Sequence, residues 1–323
     1  ASRKNGPKRS PASKTAEGLC SSIKEMTSQN LIAPALFFLS AAILNASAKE
    51  ASNKVSFRFA KILETHLSLM KSSRYQHKTE INEKAGVWNC DCSGLIGHIL
   101  RRHFPEAYLY VDGPTFPNRV RPLAANYCET FIKYGQNEHN GSPWREITKV
   151  SDLLPGDILA WKSLKIVKGK STGHVLMIAS NPKLDKNGLY LVRIIDSTTG
   201  LHANDSRTKH SPGLGSGNIW LSADKEGNLN GFKSNLHRSL NLKNTIAAGR
   251  IVPLSGPASP ANKGDQAYLN ITPEAARVLA KKQGFKCRII SQDGKTFSVP
   301  RKTEKSCLNF IIENNKVIRL IRG

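Results

Sequence analysis

Asp91-Cys92-Ser93-Gly94-Leu95-Ile96-Gly97-His98-Ile99-Leu100 is the stretch on which the reading of this chain turns. Leu95, Ile96, Ile99 and Leu100 recur at helical spacing, and Arg101-Arg102-His103 follows as a basic last turn, which a helix C-terminus favours. The spacing therefore predicts a helix that opens at Cys92. A thiol becomes a useful nucleophile only when its thiolate is stabilised, and a helix N-terminus and a neighbouring imidazole are the commonest ways to do so.

The imidazole is expected from Ser171-Thr172-Gly173-His174-Val175-Leu176-Met177-Ile178-Ala179. A Gly-His step there opens a short apolar run that reads as a buried strand. Turn residues follow from Asn181-Pro182 to Asp185-Lys186-Asn187-Gly188, and then a second strand from Leu189 to Asp196. A hairpin centred on Asp185 sets His174 opposite Asp196, at a distance over which the carboxylate holds the ring. A one-residue slip would turn Asp196 to the other face. Cys92, His174 and Asp196 are thus the expected nucleophile, base and orienting acid, with His202 and Asn204, just beyond the strand end, as reserves for the third role.

The Asp91-Cys92-Ser93-Gly94 motif, the segment Leu154-Pro155-Gly156-Asp157-Ile158-Leu159-Ala160-Trp161 and the Gly173-His174-Val175 strand together resemble the NlpC-like cysteine peptidases of the papain-like superfamily. The resemblance spans roughly residues 85–200. The run from Trp144 through Asp196, with Gly217-Asn218-Ile219-Trp220 beyond it, is most similar to a poorly characterised branch of these proteins. It implies an α+β fold in which the helix carrying the cysteine packs on an antiparallel sheet. It also implies cleavage of peptide or amide bonds, mostly in cell-wall peptides, without a cofactor. In such proteins the residues flanking the cysteine hold the free amino end of the substrate, which maps onto Asp91 and Ser93, with Trp88 beside them.

The same residues serve more than one acceptor. Water gives a hydrolase, and an amine or hydroxyl gives an acyltransferase from the same thioester. Deamidation belongs to the same chemistry, and a non-catalytic binding or inhibitory protein on this fold is the reading from another class. No Cys/His cluster has zinc spacing, so no metal is expected.

The apolar run at 31–44, Leu31 to Leu44, has the length of a signal-peptide core and is short for a membrane span, and Ala46-Ser47-Ala48 offers a small-x-small cleavage step. Residues 1–48 are read as a disordered basic segment plus signal peptide, with Met26 a candidate start, and an uncleaved signal anchor as the alternative. A periplasmic or secreted protein is then expected. Of six cysteines, Cys20 precedes the cleavage step. The five beyond it suit two disulfides and one free nucleophile, with Cys287–Cys307 and Cys90–Cys128 as the expected bridges.

The chain carries 48 Lys and Arg against 24 Asp and Glu, a formal charge of +24. Such a field favours polyanions, here an anionic wall polymer or lipopolysaccharide beside the peptide or peptidoglycan-like substrate. The basic residues are scattered and accompany no nucleic-acid motif, so no specific nucleic acid is indicated. No stable membrane span is expected.

Residues 49–253 read as the catalytic domain, with an early amphipathic helix from Val55 to Met70 that carries Phe57, Phe59, Ile62, Leu63, His66 and Leu67. A Pro/Ser/Gly/Ala linker occupies 254–266, and residues 267–323 read as a small helix-plus-hairpin domain. Thr272-Pro273 marks its helix start, strands follow at Lys286–Ser291 and Thr296–Val299, and Asn314-Asn315 joins two final strands. The last hairpin resembles the end of potato-inhibitor-like serine-peptidase inhibitors, although Arg322-Gly323 stands where that group ends in Cys-Gly. A segment this short makes a marginal core unless stapled.

Overall fold

The computed structural model describes residues 32–112, 120–135, 141–235, 237–254, 263–304 and 306–323, with side chains of the first helix from residue 50. The chain divides into two units, Ala1–Ala46 and Ser47–Gly323. In the first, the described residues are helical. Leu31, Met26, Cys20, the side chains of the apolar run and those of the Ala46-Ser47-Ala48 step lie outside the described residues. Among the described residues no helix is long and apolar enough to cross a membrane.

The fold is mixed α+β and mostly sheet. Helix α1 spans Ile32–Ser68, and three short strands follow, β1 (Ser72–Arg74), β2 (Glu80–Asn82) and β3 (Val87–Asn89). Helices α2 (Cys92–His103), α3 (Pro105–Leu109) and α4 (Ala124–Gly135) come next. The described residues between α2 and β4 thus hold α3 and α4, two helices that the sequence reading does not assign. The main sheet is built from β4 (Trp144–Glu146), β5 (Ile158–Lys162), β6 (Gly173–Ile178), β7 (Lys183–Leu184), β8 (Tyr190–Thr198), β9 (Gly213–Ala223), β10 (Leu229–Lys233) and β11 (Thr245–Ile251). Its order is β10-β9-β8-β6-β5-β11-β4 with β7 beside β8, and every pairing is antiparallel.

Alternation along the strands gives this sheet two apolar faces. Val175, Met177 and Ile195 join the core beneath α2, with its buried Leu95, Ile96, Ile99 and Leu100. Leu176, Ile178, Val192 and Ile194 pack on the other face against Val150, Leu153 and Phe232. α1 contributes Phe59 and Leu63 to the first core. Phe57, part of the expected stripe, is 47% exposed, because the buried face runs through Ser52, Ser56, Phe59 and Leu63 instead.

The Pro155-Gly156-Asp157 turn does more than feed β5. Gly156 has φ +95 and lies where any Cβ would collide with the Ser56 carbonyl of α1. Asp157 is buried and takes two hydrogen bonds from Arg250, Nε to Oδ1 at 2.7 Å and Nη2 to Oδ2 at 2.7 Å. Ser56 Oγ donates to Oδ1 as well, at 3.0 Å. One carboxylate thereby joins α1, the turn and β11.

The C-terminal segment holds α5 (Pro273–Lys282), β12 (Lys286–Gln292), β13 (Lys295–Thr296), β14 (Cys307–Glu313) and β15 (Lys316–Arg322), in sheet order β13-β12-β14-β15. Thr272 Oγ1 caps α5 by accepting from Ala275 N. Asn314 and Asn315 both take positive φ, as a two-residue hairpin turn requires. The segment has its own apolar cluster around Tyr268, Ala276, Ala280 and Phe310. Ile290, Val299, Ile311 and Ile321 nevertheless join the main core, and Tyr108 Oη donates to the Arg301 carbonyl at 2.7 Å.

Neither expected disulfide is present: Cys90, Cys92, Cys128, Cys287 and Cys307 are all free thiols. The register explains the C-terminal pair. β12 and β14 run parallel with Lys286 opposite Cys307 and Cys287 opposite Leu308. Adjacent residues on a strand face opposite sides, so Cys287 turns toward Leu308 and Cys307 turns away. Arg288 Nη2 lies 2.9 Å from Cys307 Sγ on that second face. Cys128 Sγ instead donates to the Thr245 carbonyl of β11, at 3.5 Å. Burial pushes the Cys90 and Cys128 thiols up to about 12.

Candidate active site

Cys92 is the first residue of α2. The helix begins there because Asp91 is an effective N-cap: its backbone is extended and its Oδ1 accepts from Gly94 N at 2.7 Å. Gly94 is required by close packing, since a Cβ there would press on Thr79 Oγ1. Ser197 Oγ, on β8, donates to the Cys90 carbonyl at 2.6 Å and ties the residue before the motif to the sheet.

His174 and Asp196 meet as expected, by a register that differs from the expected one. β6 and β8 pair Met177 with Ile195 and Ile178 with Ile194, whereas a hairpin centred on Asp185 sets Met177 against Arg193. The displacement is two residues along the strand. An even displacement keeps every side chain on its face, so Asp196 becomes a diagonal neighbour of His174 and still reaches it. His174 Nε2 lies 2.7 Å from Asp196 Oδ2. That leaves Nδ1 as the ring nitrogen for the thiol, and Cys92 is in hydrogen-bond contact with the ring. Trp161 packs on the imidazole with ring centroids 5.0 Å apart and stacks in turn on Phe232 at 3.9 Å.

Electrostatics hold the ring protonated. Burial works against the imidazolium, but the Cys92 charge and the hydrogen bond and charge of Asp196 outweigh it and push His174 up to about 10. Asp196 is fully buried. Burial alone would raise its carboxyl, yet hydrogen bonds and charge from His174 and His202 hold it well below the ordinary carboxylate range.

The acid has more partners than sequence reasoning assigned. His202, a reserve candidate, does not replace Asp196 but shares it: its Nε2 lies 2.9 Å from Asp196 Oδ2, and its Nδ1 lies 2.9 Å from the Ser234 carbonyl. Arg207 Nη1 donates to Asp196 Oδ1 at 2.9 Å and to the Gly213 carbonyl at 2.8 Å, while Asp205 accepts from its Nε and Nη2. Asn204 takes a left-handed turn conformation instead, with φ +47.

Asp91 and Ser93 lie beside Cys92 as expected, and a side chain of this chain already engages them. Arg121 Nη2 donates to Asp91 Oδ2 at 2.7 Å, and Nη1 donates to Ser93 Oγ at 2.6 Å. His77 Nδ1 lies 3.3 Å from the same Asp91 oxygen. Trp88 is a correction: it is 1% exposed and packs on His66 and His98, with ring centroids 4.7 and 5.8 Å away. The alternation on β3 turns Val87 and Asn89 outward and Trp88 into the core, so it lines no substrate surface. Tyr75 was not foreseen. Burial first, then the charges of Cys92 and Asp91, raise its phenol above the ordinary range, and its ring lies 5.9 Å from that of His77.

No protein-family model matches the chain, and neither a curated protein nor a solved structure does.

Proposed function

We propose that this chain is an NlpC-like, papain-like cysteine hydrolase that cleaves peptide or amide bonds, with Cys92 as nucleophile, His174 as general acid and base, and Asp196 as the residue that orients His174. The observation that carries this reading is a single imidazole joined to a buried carboxylate on one side, at 2.7 Å, and to a helix-initial cysteine on the other. Imidazole rings on surface strands are common. One clamped between a buried acid and a thiol at a helix start is the arrangement nucleophilic catalysis needs.

The chemistry follows from the atoms. The Cys92 sulfur attacks the carbonyl carbon. The oxygen that gains charge faces the helix start, where the first N–H groups have no partner within the helix. The C–N bond then breaks, His174 gives its proton to the departing amine, and a thioester remains on Cys92. Water attacks that thioester while His174 takes its proton. The C–S bond breaks, the acid leaves, and Cys92 and His174 return to their starting state.

Wall-type peptides in an exported setting are the proposed substrates, with the strongly basic surface suited to anionic wall polymers or lipopolysaccharide. An electrophilic thiol probe tests the chemistry: it labels Cys92, and labelling is lost in Cys92→Ala and slowed in His174→Ala. Folded, reduced protein that leaves Cys92 unlabelled would sink the catalytic reading. Defined muropeptides followed by mass spectrometry test the substrate, and no cleavage across several stem-peptide types removes the wall assignment.

A further inference from the structure

Far from Cys92 along α2, three segments bring nitrogen and carboxylate ligands together. His66 comes from the end of α1, Glu83 from the β2–β3 turn and His103 from the last turn of α2. One ligand atom from each lies within 4.8 Å of the others, and His66 Nε2 is 3.9 Å from Glu83 Oε1. Ligands of a tetrahedral zinc ion, at about 2.0–2.1 Å from the metal, stand about 3.3 Å apart. Small side-chain rotations therefore close the cluster onto an ion.

We propose that His66, Glu83 and His103 form a divalent transition-metal site of the zinc type, with two imidazoles and one carboxylate as ligands. A second observation points to a ligand independently. His103 Nε2 is buried without a hydrogen-bond partner among the described residues, and leaving a buried polar atom unsatisfied is destabilising. Coordination through that nitrogen gives it a polar partner that the described residues do not supply.

The surroundings suit the role. His98 Nε2 lies 2.8 Å from Glu83 Oε1 and fixes that carboxylate from outside the ligand set. Arg102 Nε rests 3.1 Å from the same oxygen, but its side chain is 44% exposed and free to swing into solvent when an ion enters. Trp88 packs against His66, with ring centroids 4.7 Å apart. Three protein ligands at a partly exposed position is also the number that leaves room for water or a substrate group on the metal. The sequence hides all of this, because the three residues lie far apart along the chain and match no metal-binding spacing.

The test uses the full chain carrying Cys92→Ala, so that the Cys92/His174 pair cannot compete for the ion. Metal-free protein is titrated with Zn²⁺ by calorimetry, and Co²⁺ is bound as a spectroscopic probe. One Zn²⁺ per chain is expected, with a rise in melting temperature as ion is added. The Co²⁺ complex is expected to show visible d–d bands without thiolate charge transfer. His66→Ala with His103→Ala abolishes this binding, and His98→Ala weakens it by about 10–100-fold. Unchanged zinc affinity in the double variant overturns the proposal, as does a thiolate-ligated Co²⁺ spectrum. If circular dichroism shows the double variant unfolded, the Cys92→Ala chain decides, and absence of the d–d bands there overturns the site.

Discussion

Arg121 sets its guanidinium on the carboxylate of Asp91, 2.7 Å from Nη2 to Oδ2, and bonds Ser93 Oγ with its other terminal nitrogen at 2.6 Å. These are the two side chains that the family resemblance assigns to a substrate's free amino end. A cation of the chain itself thus stands where a substrate cation is expected. Arg121→Ala removes it and leaves Asp91 open to an ammonium group. A hydrogen bond to a charged group is worth about 1.5–3 kcal/mol, so KM for peptides with a free α-amine is expected to fall by about tenfold. KM for the same peptides N-acetylated stays constant. Equal KM values before and after substitution for both sets would remove the amine from this position.

The His174–Asp196 pair fixes a pH dependence. His174 is raised to about 10, against burial, by the Cys92 charge and by Asp196. Its contribution to stability is complete below the ordinary imidazole value and is lost as pH rises through that raised value. Asp196 is depressed by His174 and His202, so its contribution is present above the ordinary carboxylate value and is lost as pH falls through the depressed one. Activity that needs the imidazolium as proton donor is then expected to fall on the alkaline side near pH 10. Asp196→Asn removes one of the raising charges, so that limb moves to lower pH, and kcat/KM drops by about 10²–10⁴-fold. An alkaline limb that stays in place in Asp196→Asn would show that Asp196 does not act through His174.

What was legible in the sequence is what local rules encode. The start of α2 is set by Asp91 and the apolar spacing within one helix, and the α5 cap and the Asn314-Asn315 turn are equally local. The face shared by His174 and Asp196 was legible because strand alternation fixes parity. Their register was not, because β7 pairs Lys183 with Leu191 and Leu184 with Tyr190, and this extension of the hairpin moves its centre. Arg121, Arg207 and the His66–Glu83–His103 cluster lie beyond such rules, since each depends on segments that meet only when the sheet and helices assemble. Trp88 was misplaced for a related reason. Its nearness to the motif suggested the site, but the alternation of a three-residue strand turns it inward.

The Asp157–Arg250 pair yields a stability prediction separate from activity. Both side chains are buried, at 0% and 3% exposure, and Arg250 also donates to the Asp152 carbonyl at 2.7 Å. Removing one partner leaves an uncompensated buried charge, which costs about 3–5 kcal/mol. Arg250→Ala is expected to lose that much in urea unfolding, and Asp157→Asn with Arg250 retained to lose a comparable amount. A loss under about 1 kcal/mol in both would place the pair with exposed ion pairs.

Cys287 and Cys307 make the final prediction. Export would favour a bridge between them, and the small C-terminal segment would gain from one. The parallel register denies it: Cys287 stands opposite Leu308 while Cys307 stands opposite Lys286, so the two sulfurs leave opposite faces of the sheet. Bridging them needs a one-residue slip of β14, which would also expose Leu308, Phe310 and Ile312, all fully buried now. The core those three form with Tyr268 and Ala276 makes that slip costly. Protein purified without reductant is therefore expected to keep both thiols. Reduction should change neither its mass nor its melting temperature, and alkylation under denaturing conditions should modify both residues. A Cys287–Cys307 peptide in a non-reducing digest would show that β14 pairs in the other register.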